Sequence, residues 1–218
     1  MELTSVNGLL VAAGMGLLGA ALSMLSELLI VRFLPRLGEL PEAHIRLMTA
    51  ILTGLVSCAF VFRFASDPAL PAFMLLAVLG VQLARIDIAL HVLPNPLVLI
   101  LVFGSASLFA SSILTGSPGS DIVRAAAGGA ILFVAYLLLA LISPGSVGLG
   151  DVKLAAPLGL YLGYLGWMHV LYGALLGFVF NGILALFVVT RKRPEHASEV
   201  AHGPSMVAAV AVIALFAS

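Results

Sequence analysis

The stretch "LAAPLGLYLGYLGWMHVLYGALLGFVFNGILALFVVT", residues 154–190, contains no Asp, Glu, Lys or Arg in 37 consecutive positions. As one helix it would be about 55 Å long at about 1.5 Å per residue, well beyond a hydrocarbon core of about 30 Å. We therefore expect two membrane-embedded helices with a break at "GYLG", residues 163–166, beside Trp167, a residue type that favours the membrane interface. The first of the two is short, which is compatible with a partly re-entrant segment.

The rest of the chain is also strongly apolar. Of its 218 residues, 62% are hydrophobic and 9% are charged, far below the roughly 25% charged residues of a typical soluble domain. The segment before Arg32 lacks an early basic residue, so no cleaved signal peptide is expected. The uncharged runs predict an all-α polytopic membrane protein of one domain, with helices near 8–31, 47–65, 69–90, 97–115, 122–142, 151–163, 167–190 and 204–217.

The basic residues test this division into eight spans. With both termini outside, two of the ten Lys and Arg residues fall outside, Arg63 and Arg124. The other eight fall on the inner side: Arg32, Arg36, Arg46, Arg85, Lys153, Arg191, Lys192 and Arg193. Merging residues 154–190 into one helix would make the two sides equal, so the positive-inside rule favours eight spans.

Two aspartates then fall at the inner ends of predicted spans. Asp87 lies near the end of the third span in "ARIDIALHVLPNPL", residues 84–97, where Pro94-Asn95-Pro96 should stop the helix. Asp151 lies at the start of the sixth span, after an irregular glycine-containing loop. Ionisable residues inside membrane spans are costly and usually functional. Two carboxylates at one depth also favour a shared proton.

The segment around Asp151 has other interpretations. Gly148 and Gly150 fit the first two positions of a dinucleotide-binding fingerprint, but its third position is Lys153, and the preceding apolar run is too long for a strand. Asp151 could instead be the N-cap of a helix. A capping box would then need Glu or Gln three residues later, where the chain has Leu154.

Asp87 and a further acidic residue also have structural interpretations. Asp87 could pair with Arg85 or with His91, of which His91, four positions later on a helix, is the better placed. Glu27 lies within the first predicted span. It could have a function, form a salt bridge, or extend toward the inner interface near Arg32.

Three short motifs resemble one known family. "DIALHVLPN", residues 87–95, resembles the D-x5-L-P-N motif of the type IV prepilin peptidases, and "GLGDVK", residues 148–153, resembles their G-x-G-D motif. "HGPSMVAAVAV", residues 202–212, is similar to the Gly-Pro segment that opens the family's last helix. The order of these motifs and the expected eight spans agree with that family.

The resemblance implies an aspartic endopeptidase of the inner membrane that removes the leader of prepilins or pseudopilins at the cytoplasmic face, without metal or organic cofactor. It assigns catalysis to Asp87 and Asp151. It assigns substrate binding or support of the site to Gly148, Gly150, Lys153, Pro94 and Asn95. The glycines would let a substrate backbone approach closely, and Lys153 would stabilise charge or anchor at the interface. The expected partners are the lipid bilayer and a prepilin, and the zero net charge gives no indication of nucleic acid.

The chain departs from many family members in one respect. Their first span is followed by a larger cytosolic insert, often with paired C-x-x-C motifs, and they also methylate the new N-terminus. The corresponding connection, about residues 32–46, contains no cysteine, and the single cysteine of the chain, Cys58, lies in an apolar run. Methyl transfer is therefore not expected. Two other classes stay open: a small proton-coupled transporter, whose carboxylates would lie near the midplane in repeated halves, and a non-catalytic assembly component.

Overall fold

The described part of the chain is built of helices joined by short connections. A computed structural model describes residues 6–143, 145, 147–191 and 201–216, which excludes Lys192 and Arg193 of the predicted inner cluster. Within these residues no strand occurs, and the all-α prediction is confirmed. The helices are α1 (Val6–Phe33), α2 (Ala43–Phe64), α3 (Leu70–Leu90), α4 (Asn95–Ser112), α5 (Gly119–Ile142), α6 (Leu149–Leu165), α7 (Trp167–Arg191) and α8 (Gly203–Phe216).

Helix length separates these elements into two groups. Among the described residues, α1 to α5 and α7 are long and apolar enough to cross a membrane. The prediction of a polytopic membrane protein is therefore confirmed. Helix α6 has 17 residues and α8 has 14, or about 26 Å and about 21 Å of helix. The count of eight spans and the side on which the termini lie stay predictions.

The break expected inside residues 154–190 lies at a single residue. Helix α6 ends at Leu165 and α7 begins at Trp167, with Gly166 between them at φ 148°. This left-handed φ favours glycine, which has no Cβ to clash with the backbone. The Gly166 N–H donates to the carbonyl of Leu162 at 3.0 Å and so closes the last turn of α6.

Helix α3 ends before the chain reaches its proline motif. The last helical residue is Leu90, and His91 follows with φ 53° and ψ 37°. The His91 N–H donates to the carbonyl of Asp87 at 2.9 Å. Pro94 is the N-cap residue of α4, Asn95 is its first residue and Pro96 lies in its first turn, so the proline motif marks the start of the next helix.

Close backbone packing places α6 among its neighbours. Helix α6 packs against α4, α5, α7 and α8, while α3 packs against α1, α2, α4 and α8. A Cβ on Gly159 of α6 would lie 2.5 Å from the carbonyl oxygen of Gly128 of α5, so these two backbones touch with no side chain between them. Small residues permit such close approach of helices in membranes. Helix α8 contacts both α3 and α6 and connects the helices that carry the two aspartates.

A buried polar cluster joins α1, α2 and α3. Glu27 of α1 is 1% exposed, and its carboxylate lies 3.2 Å from Nε of Arg46 and 3.9 Å from Nε of Arg85. Gln82 of α3 donates to the backbone carbonyl and to the hydroxyl of Ser23, both at 3.1 Å. Glu27 therefore forms salt bridges within the bundle, where two arginines offset the cost of burying its charge.

Candidate active site

Asp87 lies in the last turn of α3 with its side chain buried. The residue is 6% exposed, and its Oδ2 accepts a hydrogen bond of 3.1 Å from the backbone N–H of Gly203, the first residue of α8. Pairing with Arg85 is wrong, because that guanidinium donates to Gln82 at 3.1 Å and faces the Glu27 cluster. His91 lies close enough to Asp87 for the two to interact electrostatically. The carboxylate is thus held by a backbone amide from a distant part of the chain.

Asp151 lies in the first turn of α6 and is 9% exposed. The N-cap interpretation is wrong, because the helix begins at Leu149 and the N-cap residue is Gly148. Asp151 occupies the third helical position, and its Oδ2 accepts a hydrogen bond of 3.2 Å from the Gly148 N–H. This contact is the carboxylate half of a capping box, which satisfies an amide that the helix leaves free.

The loop between α3 and α4 brings the two aspartate segments together. Leu93 lies so close to Gly150 that a Cβ there would be 3.2 Å from the Leu93 Cβ. A Cβ on Gly203 would lie 3.5 Å from Leu93 Cδ1 and 2.7 Å from Asp87 Oδ2. As a result, the carboxylates of Asp87 and Asp151 lie close enough to interact electrostatically. Two buried carboxylates at such range can share one proton.

The remaining predicted residues lie at the edge of this arrangement. The Lys153 Nζ donates to Asn95 Oδ1 at 3.0 Å in an exposed position, which joins the start of α4 to the start of α6. Pro94 lies next to Asn95 as the N-cap residue of α4. The open side of Gly150 is filled by the side chain of Leu93, so this glycine accommodates a residue of the protein itself.

Two residues beside the aspartates were assigned no role from the sequence. The Tyr136 hydroxyl of α5 lies 3.2 Å from His202 Nε2, and Tyr136 is close enough to Asp151 for an electrostatic interaction. Burial lowers the pKa of His202, which keeps its imidazole neutral near pH 7. The motif "HGP" marked His202, but Tyr136 stands in an apolar helix without any motif.

The described residues contain no group of three or more His, Cys, Asp or Glu side chains that could hold a metal ion. What the aspartates can supply is general acid and general base chemistry. One carboxylate in the ionised form accepts a proton, and the other in the neutral form donates one. The glycine amides that bind Oδ2 of Asp87 and Oδ2 of Asp151 hold both groups in place.

Residues 72–189, more than half of the chain, match the type IV leader peptidase family. The chain belongs to this family. The resemblance found in the sequence motifs is thereby confirmed. Membership makes the chain a protease of the leader peptidase type and implies prepilin substrates. No curated protein and no solved structure shows a significant match to it.

Both aspartates lie within the matched part of this leader peptidase, whereas His202 and Gly203 lie beyond it. The amide that binds Asp87 therefore comes from a segment outside the region that carries the family match. Helix α8 must be packed in place before this contact can form, since its first residue supplies the amide.

Proposed function

We propose that this leader peptidase is an intramembrane aspartic endopeptidase of the inner membrane, with Asp87 and Asp151 as its catalytic pair. It removes the leader of prepilins or pseudopilins at the cytoplasmic face. The observation that carries the proposal is the meeting of two buried carboxylates at the ends of α3 and α6. Their position at helix ends also differs from the midplane sites typical of transporters.

The proposed reaction uses these two side chains and a water molecule. The ionised carboxylate takes a proton from water, whose oxygen bonds to the scissile carbonyl carbon, while the neutral carboxyl gives its proton to the carbonyl oxygen. Collapse of the tetrahedral intermediate re-forms the C=O bond and breaks the C–N bond. One hydroxyl proton returns to the second carboxylate, and the proton taken from water passes to the leaving nitrogen. Since the two aspartates are coupled, they titrate as a pair.

An apolar groove beside Asp87 is suited to the helix that follows the scissile bond of a prepilin. The groove has a volume of about 690 Å³ and lies between α2, α3 and α8. Ile88 and Pro204, direct neighbours of Asp87 and Gly203 in sequence, line one part of it, and Ala208 lines another. We assign this groove to the apolar segment of the substrate, because its lining includes the sequence neighbours of Asp87 and Gly203.

The proposal includes cleavage without methyl transfer. Only residues 34–42 connect α1 to α2, and this stretch contains a single helical turn, Pro35–Leu37. Nine residues are too few to form a separate folded module. Mature pilin from cells in which this peptidase is the only one should therefore carry an unmodified N-terminus in a mass spectrum. A product heavier by one methyl group would overturn this part of the proposal.

Single substitutions in cells that co-express a prepilin test the catalytic assignment. Asp87→Asn and Asp151→Asn should each abolish leader cleavage while the protein still inserts in the membrane. Asp121→Asn is the matched control, because Asp121 pairs with Arg124 at 3.0 Å at the start of α5. If the protein were a transporter or an assembly component, leader cleavage would be the same with the unchanged protein and with all three variants. Near-normal cleavage by either of the first two, with normal insertion, would refute the assignment.

A further inference from the structure

His202, the residue directly before α8, belongs to a cluster of three rings. Tyr136 of α5 and Phe178 of α7 stack with their centroids 5.6 Å apart, and the His202 ring lies 5.2 Å from the Phe178 ring. The Tyr136 hydroxyl and His202 Nε2 are 3.2 Å apart. Tyr136 is 2% exposed, so its hydroxyl requires a partner within the protein. His202 supplies that partner.

The position of His202 determines where the next amide points. Gly203 follows it directly, and its N–H donates to Asp87 Oδ2 at 3.1 Å. The His202 carbonyl accepts a hydrogen bond of 3.2 Å from the Met206 N–H in the first turn of α8. His202 is therefore fixed by its side chain on one side and by the helix on the other, and the amide between them is directed at Asp87.

We propose that Tyr136 and His202 are positioning residues for catalysis: their hydrogen bond holds the Gly203 amide on Asp87 and so fixes that carboxylate relative to Asp151. This inference rests on the proposed function of the two aspartates. Neither ring needs to touch the substrate for this role. Burial of His202 supports this role because it keeps the imidazole neutral. A neutral imidazole retains an acceptor nitrogen for the Tyr136 hydroxyl.

Kinetic constants separate this role from a general loss of packing. Tyr136→Phe keeps the ring but removes the hydroxyl, and it should lower kcat by about tenfold with KM within about twofold, because small displacements of a catalytic group are costly. His202→Ala should have the same effect, and His202→Gln should restore part of kcat because its amide can reach the position of Nε2. Tyr161→Phe is the control, since Tyr161 is a buried tyrosine that binds the Ala72 carbonyl near the start of α3.

The amide itself can be observed without any activity. His202-Gly203 is the single His-Gly pair of the chain, so labelling with 13C-carbonyl histidine and 15N-glycine selects the Gly203 amide in an NMR spectrum. Its exchange with water should be slow in the unchanged protein and in Tyr161→Phe. In Tyr136→Phe and His202→Ala it should be about tenfold faster or more.

Each result supports or overturns the inference. Faster exchange of the Gly203 amide together with lower kcat supports it. Unchanged exchange in Tyr136→Phe, or faster exchange with unchanged kcat, overturns it even if Asp87→Asn abolishes cleavage. Failure of the unchanged protein to cleave a prepilin would overturn the proposed function, and with it the catalytic meaning of this contact. The exchange measurement would then still decide whether Tyr136 and His202 hold the amide.

Discussion

A single methyl group at the start of α8 should displace the carboxylate of Asp87, the proposed catalytic group. In Gly203→Ala the new Cβ would lie 2.7 Å from Asp87 Oδ2, whereas real Cβ contacts are rarely closer than 3.0 Å and usually exceed 3.4 Å. Oδ2 therefore has to move by about 0.3 to 0.7 Å, since the end of a side chain yields before helix backbone does. A misplacement of about 1 Å costs about a hundredfold in rate, so we expect kcat to fall by about four- to 25-fold.

The assay for this variant is the initial rate of leader cleavage by purified peptidase in lipid nanodiscs, with prepilin concentration varied to separate kcat from KM. Gly119→Ala is the matched control, because Gly119 is the first residue of α5 and has nothing within 4 Å of its Cβ position. Thermal unfolding monitored by circular dichroism should show similar midpoints for both variants. Unchanged kcat in Gly203→Ala, or an equal loss in Gly119→Ala, would refute the reasoning.

Four further expectations follow from contacts described above. The double variant Asp87→Asn with Asp151→Asn should cleave no more slowly than either single variant, since the effects of residues that act as a unit are not additive. A further loss in the single-turnover rate would contradict this expectation. Lys153→Gln should lose less than about tenfold in kcat because its ammonium binds an exposed amide away from the carboxylates, and a complete loss would assign it a catalytic role. Glu27→Gln should lower the free energy of unfolding by about 2 kcal/mol, because two arginines lose their counter-charge. The thermal midpoint should fall accordingly, and an unchanged midpoint would contradict this expectation. Ala208→Trp should fill part of the apolar groove and raise KM for a prepilin, while KM for a leader peptide that lacks the apolar helix should not change. An equal effect on both substrates would refute the assignment of the groove.

The pairing of the aspartates could be expected from the sequence because each lies next to a strong local signal. Helix-breaking residues follow Asp87 and precede Asp151, and the distribution of basic residues places both at the same end of the bundle. The start of α6 was predicted less accurately. Leu149 and Gly150 have no strong propensity to start a helix, so the predicted sixth span begins at residue 151, whereas α6 begins two residues earlier, at Leu149.

Contacts between distant residues could not be predicted. Glu27 and Arg46 are 19 positions apart, and Tyr136 and His202 are 66 positions apart. A pattern of apolar residues indicates where helices lie but not which faces meet, and in lipid even the outward face is apolar. For this reason the sequence allowed either a functional or a structural role for Glu27. It also did not distinguish Tyr136 from the other residues of an apolar helix.

The backbone contact between Gly128 and Gly159 has a mechanical consequence. Where two backbones touch there are no rotamers to rearrange, so at this point α5 and α6 can slide or separate only as whole helices, and we expect the pair to move as one stiff unit that carries Asp151. The other wall around the two carboxylates consists of the connection from His91 to Pro94 and the first turn of α8. We therefore expect any opening that admits a substrate strand to occur on the Asp87 side.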